Sequence, residues 1–297
     1  MSREVSPTTG KLYGIERVCT TCQFPRSTLY AQEQRASAPE RPHTKRGPKP
    51  ALSDEQLLEL IRTDLEASPF SGEGHRKVWA RLKYGGGVAV SRKRVLRIMR
   101  EHNLLSPHRH PQVLPSEHKG TITTHAPNIM WGVDGTKVLT VEDGYVWIFT
   151  SIEHWNAQCV GWHVTKKGDR FAALEPVAQG VLAQFGHVGQ DAARGLAVRM
   201  DHGSQYLSDH FQNQLTFWGI APSFAFLEQP QTNGVAERFF RTLKEQAIYG
   251  RVFRNIDEVR RAVAEFVERY NAHWRLEKLD FKTPYEVRQA ASLKQAA

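Results

Sequence analysis

This sequence has few cysteines, and it contains neither a long apolar run nor an apolar leader segment. Its three cysteines, Cys19, Cys22 and Cys159, are too few for a disulfide framework, which favours a reducing cytoplasm. No apolar run approaches the roughly 18 residues of a membrane span, and the N-terminus has no apolar leader segment. These absences argue against a disulfide-stapled secreted domain and a membrane-spanning protein.

Positive charge is abundant but unevenly distributed. The net charge of the whole chain is +9, while residues 121–250 contain more acidic than basic side chains. The basic excess therefore lies outside the middle of the chain. This distribution is typical of a polyanion-binding N-terminal region joined to a central region of another function, here residues 121–250. The alternative is that the basic helix faces are ordinary solvent-exposed surfaces that bind no polyanion.

Three acidic residues occupy unusual positions. Asp134 lies inside an otherwise apolar strand, Asp201 ends the aliphatic run that begins at Leu196, and Glu237 lies on a predicted helix. A buried carboxylate costs several kcal/mol unless it is paired or bound to a cation. Carboxylate oxygens are ligands that Mg²⁺ prefers, so the pattern predicts a Mg²⁺ site.

The spacing of these acids resembles a known family. An Asp in a first strand, an Asp ending a later strand and a Glu separated from it by 35 residues resemble the DDE core of transposases and retroviral-type integrases. The resemblance is closest to insertion-sequence family three, in which a basic residue, here Lys244, follows the Glu by seven positions. It implies an α/β fold, with an RNase H-like core of mixed five-stranded sheet and helices, preceded by all-α helix-turn-helix DNA-binding regions.

The resemblance also implies a function. The chain would be a transposase that cleaves and transfers DNA strands of an insertion sequence, with Asp134, Asp201 and Glu237 holding two Mg²⁺ ions, or Mn²⁺ in their place. Its partners would be the element's terminal repeats and target DNA, further copies of the chain, and an upstream-frame protein with a helix-turn-helix and a leucine zipper. Such a protein belongs to the bacterial cytoplasm and associates with the nucleoid when bound to DNA. The chain would then be the second-frame product or part of a frameshift fusion.

Composition and periodicity divide the chain into six segments. The prediction gives a helix-turn-helix-like segment at 1–34, a Pro-rich basic linker at 35–51, a helix-turn-helix domain at 52–105, a second linker at 106–127, the catalytic core at 128–250 and a C-terminal helical extension at 251–297. In the core, apolar runs predict three strands (131–140, 145–152 and 157–164), a helix at 169–185, a strand at 196–200, a Ser208-capped helix, a strand at 221–226 and a helix from Val235.

Two basic segments are candidate DNA contacts. Ser91 caps a helix whose apolar face is predicted to be Val95, Leu96 and Met99. Its polar side carries five predicted DNA-binding cations: Arg92, Lys93, Arg94, Arg97 and Arg100. Arg26, near the start of the second N-terminal helix, is a further candidate. A docking platform or a simple hairpin remains the structural alternative for these helices, and zinc binding by Cys19 and Cys22 stays open.

The helix carrying Glu237 has two distinct faces. Glu237, Arg241 and Lys244 fall on one side at 100° per residue, while Ala236, Phe240, Leu243 and Ala247 form an apolar stripe. The first side is predicted to overlook the metal site and nearby DNA phosphates, although an ordinary i,i+4 surface pair would give the same spacing. His202 and Asn233 flank the acids as candidate supporting contacts, and His202 equally fits a turn residue.

Two positions depart from the family pattern, and two other functions remain open. Related chains often have Asp where this one has Thr232 and Glu153, which leaves secondary contacts unassigned. An RNase H-like nuclease without joining activity is the first alternative. A non-catalytic DNA-binding regulator of transposition is the second. The basic N-terminal helices argue against the nuclease, and the complete acidic set argues against the regulator.

Overall fold

The computed structural model describes residues 4–37, 51–107, 122–225 and 233–296. The chain forms two compact units, Met1–Ala51 and Leu52–Ala297. The predictions for most of the first linker and for the His- and Pro-rich stretch at 108–121 lie outside the described residues, as does Thr232. None of the described helices is long and apolar enough to cross a bilayer.

The N-terminal unit contains two short helices, α1 (Ile15–Thr21) and α2 (Arg26–Ser37). Cys19 is buried beside the turn that joins them, whereas Cys22 is exposed. No side chain of α2 is buried. The unit therefore has little apolar core of its own, and α2 leaves its polar side chains in solvent.

Three helices begin the second unit: α3 (Asp54–Ala67), α4 (His75–Ala80, continued by a π-helical turn, Arg81–Gly85) and α5 (Arg92–Glu101). Ser53 caps α3, because its hydroxyl accepts from the Gln56 N–H at 3.2 Å while the Gln56 side chain accepts from the Ser53 N–H at 2.8 Å. We call residues 52–105 the three-helix region. Its core is formed by seven buried side chains: Leu57, Ile61, Val78, Leu82, Val95, Ile98 and Met99.

The apolar face of α5 differs from the prediction at one position. Val95, Ile98 and Met99 are buried, whereas Leu96 is only partly buried. The spacing i, i+3, i+4 places Ile98 beside the other two on one side of the helix. Ile98 therefore belongs to the buried face, and Leu96, three residues before Met99, lies at its margin.

The predicted mixed five-stranded sheet is confirmed. Its strands are β1 (Met130–Thr140), β2 (Gly144–Glu153), β3 (Cys159–Thr165), β4 (Ala197–Met200) and β5 (Ala221–Phe224), in the order β3-β2-β1-β4-β5. The first three form an antiparallel meander, and β4 and β5 add in parallel to β1. Helices connect the later strands, as parallel crossovers require.

Helices cover both faces of the sheet. One face packs against α6 (Arg170–Phe185) and α8 (Asp209–Phe217), and the other packs against α9 (Gly234–Leu243) and α10 (Ile256–His273). Gly161 of β3 permits the close approach of α6, since a Cβ there would lie 1.9 Å from the Pro176 carbonyl oxygen. A short helix, α7 (Ser204–Leu207), and a π-helical turn after α9 (Lys244–Ile248) were not predicted.

The chain ends with a 3₁₀ turn (Glu277–Leu279) and α11 (Pro284–Ala296), both fastened to the sheet. Asn271 of α10 accepts from the Cys159 N–H at 3.0 Å and donates to the Cys159 carbonyl at 2.9 Å. The Asn271 side-chain amide thus satisfies backbone groups of the edge strand β3 that a further strand would otherwise bond. Arg288 of α11 bonds Asn128, Glu153 and Gln158. The C-terminal extension is therefore an integral part of this unit.

Candidate active site

Asp134 and Asp201 belong to adjacent parallel strands. Met130 of β1 pairs with Ala197 of β4, and the register continues to Gly132 opposite Arg199. Extended at the same offset, it brings Asp134 level with Asp201, immediately beyond the end of β4. Trp131 and Val133 of β1 pack toward α6, so strand alternation directs Asp134 to the opposite face, where α9 packs.

Glu237 approaches this edge from α9. The predicted apolar stripe on this helix is buried in the core below it. Phe239 is also buried, and it contacts Phe266 and Tyr270 of α10 edge to face. This packing leaves Glu237 exposed in the first turn. Packing of the Phe239 side therefore holds α9 in place, while the Glu237 carboxylate on another side of the helix is exposed to solvent.

Asn233 fastens the start of α9 to β1. Its side-chain amide is buried and donates to the carbonyl of Val133 at 3.0 Å, next to Asp134. The close approach depends on Gly132, because a Cβ there would lie 2.7 Å from Asn233 Oδ1 and 3.1 Å from His154 Nε2. Asn233 Oδ1 and both ring nitrogens of His154 lack hydrogen-bond partners among the described residues. Asn233 therefore positions the helix that carries Glu237.

Burial and neighbouring negative charges both perturb the pKa of Asp134. Its pKa is raised to about 6, chiefly by burial and further by the negative charges of Asp201 and Glu237. The N–H of Gly135 donates to Asp134 Oδ1 at 2.7 Å, and this bond and the Lys244 charge act in the opposite direction. Three carboxylates thus interact electrostatically, and the Lys244 charge partly offsets their effect on Asp134.

Tyr206 lies beneath the two aspartates. It is fully buried on α7, and burial raises the pKa of its hydroxyl, with smaller contributions from Asp134 and Asp201. The Gly203 N–H donates to Asp201 Oδ1 at 2.8 Å and holds the turn that starts this helix. The Tyr206 phenol therefore stays neutral and adds no charge near the two aspartates.

The acidic cluster fits a hard divalent cation in donor type and charge. Carboxylate oxygens are suitable ligands, and a cation would relieve the repulsion that raises the pKa of Asp134. Across the parts of the chain that the structure describes, no three Asp, Glu, His or Cys side chains lie close enough together to hold a metal ion. Asp201 and Glu237 are exposed, so packing does not fix their carboxylates.

The other predicted residues near the acids have distinct surroundings. Arg241 is exposed on α9, one turn beyond Glu237, and Lys244 is half-buried at the start of the following π-helical turn. His202 is exposed and its ring stacks on Phe224 with centroids 5.5 Å apart. This contact holds His202 against the end of β5, away from any recorded bond to the three acids.

The five cations of α5 divide into two groups. Arg94 and Arg97 both bond Asp54, at 2.7 and 2.6 Å, and Arg97 also pairs with Glu101. These two arginines therefore hold α5 against the start of α3. Arg92 pairs with Glu277 at 3.3 Å. Lys93 and Arg100 are exposed and have no ion pair within the described ranges.

Arg26 belongs to the separate N-terminal unit. It is exposed at the first position of α2 and lies 3.3 Å from Glu16 of α1. In that unit the pair links its two helices through solvent-exposed side chains.

Sequence reasoning missed a buried structural cluster around Glu153. This carboxylate is fully buried and accepts from the Asn128 N–H, the Trp131 ring and Arg288. The sequence marked Glu153 only as a departure from a pattern. An acidic residue at the end of an apolar strand was the available signal, but its partner Arg288 lies 135 residues away.

Comparisons with known proteins agree with this architecture. The chain matches the HTH-like domain family over residues 53–112. It matches the Integrase core domain family over residues 124–230 and, by a second description of that domain, over 219–284.

Proteins similar to the chain include bacterial transposases. The chain is 28% identical over 228 residues to "Transposase InsD for insertion element IS2A/D/F/H/I/K" of Escherichia coli, covering 73% of this chain and 74% of the relative. The same values hold for "Transposase InsD for insertion element IS2D" of Escherichia coli strain K12.

Solved structures with similarity to the chain include viral integrases. The HTLV-2 integrase catalytic core domain in complex with magnesium has a TM-score of 0.41 at 17% identity, over 54% of this chain and 95% of that one. The catalytic core domain of BIV integrase also has a TM-score of 0.41 at 17% identity, over 57% and 99%.

Proposed function

Because the chain belongs to the DDE transposases of insertion-sequence family three and contains an integrase core, we propose that Asp134, Asp201 and Glu237 are its catalytic residues. As a transposase it is a polynucleotidyl transferase that cleaves and joins DNA strands. The observation that carries the assignment is the parallel register of β1 and β4, which brings Asp134 level with Asp201. The effect of Glu237 on the pKa of Asp134 supports the third member.

The three carboxylates would hold two Mg²⁺ ions, or Mn²⁺ in their place. Bound there, the ions supply activation of the attacking hydroxyl and stabilisation of the leaving oxygen during displacement at phosphorus. Asp134 contributes a partly desolvated carboxylate held by the Gly135 N–H. Asn233 positions the helix that carries Glu237, through the Val133 carbonyl. His202, next to Asp201 in the chain and stacked on Phe224, would be a supporting contact near the acids.

DNA contacts come from three parts of the protein in this proposal. Lys93 and Arg100, exposed on α5, bind phosphates of the element end together with Arg92. Arg94 and Arg97 keep the helix in place through Asp54 and contact DNA less directly. Arg241 and Lys244 bind the DNA terminus beside the acids, and Arg26 adds a contact from the N-terminal unit.

The finer organisation also belongs to the proposal. The helix-turn-helix-like segment (1–34), the first linker (35–51), the DNA-binding domain (52–105), the second linker (106–127), the catalytic core (128–250) and the C-terminal extension (251–297) would act as successive parts of one enzyme. Several copies would assemble on paired element ends, with an upstream-frame helix-turn-helix and leucine-zipper protein as a further partner.

A strand-transfer assay with labelled element ends tests the function. The full-length protein, supplied with Mg²⁺, is expected to nick the end and join its 3′-hydroxyl to target DNA, and chelation should stop both steps. Cleavage without joined product would favour the hydrolytic nuclease. Binding of ends without either reaction would favour the non-catalytic regulator.

A further inference from the structure

The three-helix region docks on the C-terminal extension of its own chain. Phe70 meets Trp274 edge to face with centroids 4.7 Å apart, and Trp79 meets Phe281 in the same way at 5.5 Å. The Gln246 side chain bonds both backbone groups of Ser71, at 3.0 and 2.9 Å. All of these contacts lie within the second compact unit.

Glu277 joins this interface to two arginines of the three-helix region. One carboxylate oxygen pairs with Arg76, in the first turn of α4, and the other lies 3.3 Å from Arg92, at the first position of α5. The two arginines come from different helices but converge on one anion. Convergence of guanidinium groups on a two-oxygen acceptor is the arrangement that binds carboxylates and phosphates.

The two arginines border a shallow groove that is otherwise basic. His75, Arg76, Arg92, Lys93 and Leu96 line it, and no acidic residue is among them. The Arg92 guanidinium lies over the Trp79 ring at 5.3 Å, which limits the directions in which its donors can point. The groove thus offers oriented donors to an anion, and Glu277 supplies the anion from outside the groove.

We propose that Arg76 and Arg92 form a binding site for a DNA backbone phosphate, which Glu277 occupies in the DNA-free protein as an internal substitute. The inference rests on the proposed DNA binding by this region and adds its regulation. A phosphate and the Glu277 carboxylate need the same donors, so they exclude each other. DNA binding therefore releases Glu277 and removes one of the contacts that dock the three-helix region.

The contact is weak enough to be displaced. Arg76, Arg92 and Glu277 side chains are each about half exposed, at 49%, 51% and 47%. Ion pairs of this exposure contribute little individually, so the internal anion should lower DNA affinity by roughly three- to tenfold. A duplex that engages several phosphates at once outcompetes it, because each neutralised phosphate adds counterion release.

The test compares DNA affinities of full-length variants. The probe is a labelled duplex of mixed sequence, since phosphate contacts do not read bases, and binding is followed by fluorescence anisotropy at fixed salt. Glu277→Gln should bind roughly three- to tenfold more tightly than the unmodified chain, and Arg76→Ala should bind more weakly. Adding Glu277→Gln to Arg76→Ala should give a smaller gain, because one of the two occupied donors is already missing.

A matched control separates this contact from net charge. Asp257→Asn also removes one negative charge from an exposed carboxylate–arginine pair, Asp257–Arg260 on α10. Its DNA affinity should stay within about twofold of that of the unmodified chain. Thermal unfolding checks that each variant is folded. An equal gain with Asp257→Asn, or unchanged or weaker binding with Glu277→Gln, would overturn the inference while leaving the proposed function intact. If no variant bound DNA even at low salt, both proposals would fail.

Discussion

Two carboxylates on neighbouring strands of the sheet have opposite surroundings. Glu153, at the end of β2, is fully buried and accepts hydrogen bonds from Asn128, Trp131, Trp155 and Arg288. Asp134, on β1, is only partly buried and, within the described residues, accepts one hydrogen bond, from the adjacent Gly135 N–H. Its other electrostatic neighbours are chiefly acidic.

The difference distinguishes a carboxylate whose hydrogen bonds the fold supplies from one that the fold leaves mostly unbonded. Donors and a counter-ion compensate the burial of Glu153, so the protein itself meets its bonding needs. The Asp134 carboxylate is held among like charges, which costs stability and perturbs its pKa. Four changes, from the largest expected effect to the smallest, test this contrast.

Removing charge from the acidic cluster should have the largest effect. Asp134→Asn, Asp201→Asn and Glu237→Gln should each lower strand cleavage and joining at least about a thousandfold, or about 4 kcal/mol in barrier. Amides keep the shape but lose the charge that a divalent cation needs. Duplex binding should remain near normal. Glu268→Gln, at an exposed position of α10, is the control, and retained turnover in any cluster variant would remove that residue from the site.

Breaking the Glu153 cluster should instead destabilise the fold. Arg288→Met leaves the buried Glu153 charge without its arginine 3.2 Å away, which should cost about 3 kcal/mol of unfolding free energy. Urea unfolding measures the loss, and adding Glu153→Gln should restore part of it. A loss below about 1 kcal/mol would mean that the remaining donors suffice and would weaken the contrast with Asp134.

Asp134→Asn should stabilise the metal-free protein in a pH-dependent way. The folded-state pKa of Asp134, about 6, lies above the ordinary 3.8, so the native state favours the protonated acid. That contribution is fully present below about pH 4 and is lost as the pH rises through about 6. The asparagine variant should therefore gain on the order of 1–3 kcal/mol at pH 8 and little at pH 4. Urea unfolding in the presence of a chelator at both pH values measures this difference, and an equal gain at both would exclude the titration of Asp134 as its cause.

Lys244 should have the smallest effect of the four. Lys244→Ala should reduce strand transfer about tenfold through weaker placement of the DNA terminus, while Lys244→Arg should keep much of the activity. The Mg²⁺ concentration at half-maximal rate should remain near normal in both, because an ammonium is not a metal ligand. A Mg²⁺ requirement raised as steeply as in Glu237→Gln would mean that Lys244 acts on the metal site itself.

Local signals in the sequence predicted the helix starts and the strands well. Ser53, Ser91 and Ser208 cap their helices as expected, because a cap needs only residues two or three positions away. The core strands agree with the prediction within two residues at each end among the described residues, because apolar runs bounded by turn residues mark them locally. The spacing of Asp201 and Glu237 was likewise visible in the chain itself.

Long-range partners were not visible in the same way. Five cations on α5 looked alike in sequence, but Asp54, 40 or more residues earlier, engages two of them and Glu277, 185 residues later, engages another. The family pattern marked Glu153 as a departure, although Arg288 makes it part of the buried structure. A side chain's charge is fixed by its identity, but its availability depends on what the fold places beside it.

The sequence by itself therefore determined the order of the elements, and its resemblance to a known family indicated the fold class and the candidate residues for binding a cation or DNA. The order of the elements follows from periodicity and capping, which act over a few positions. The tertiary structure decided that Asp134 lies level with Asp201, that its pKa rises and that Glu153 does not share its role. Those outcomes depend on strand register, burial and charges brought together from distant parts of the chain, and no local pattern encodes such distances.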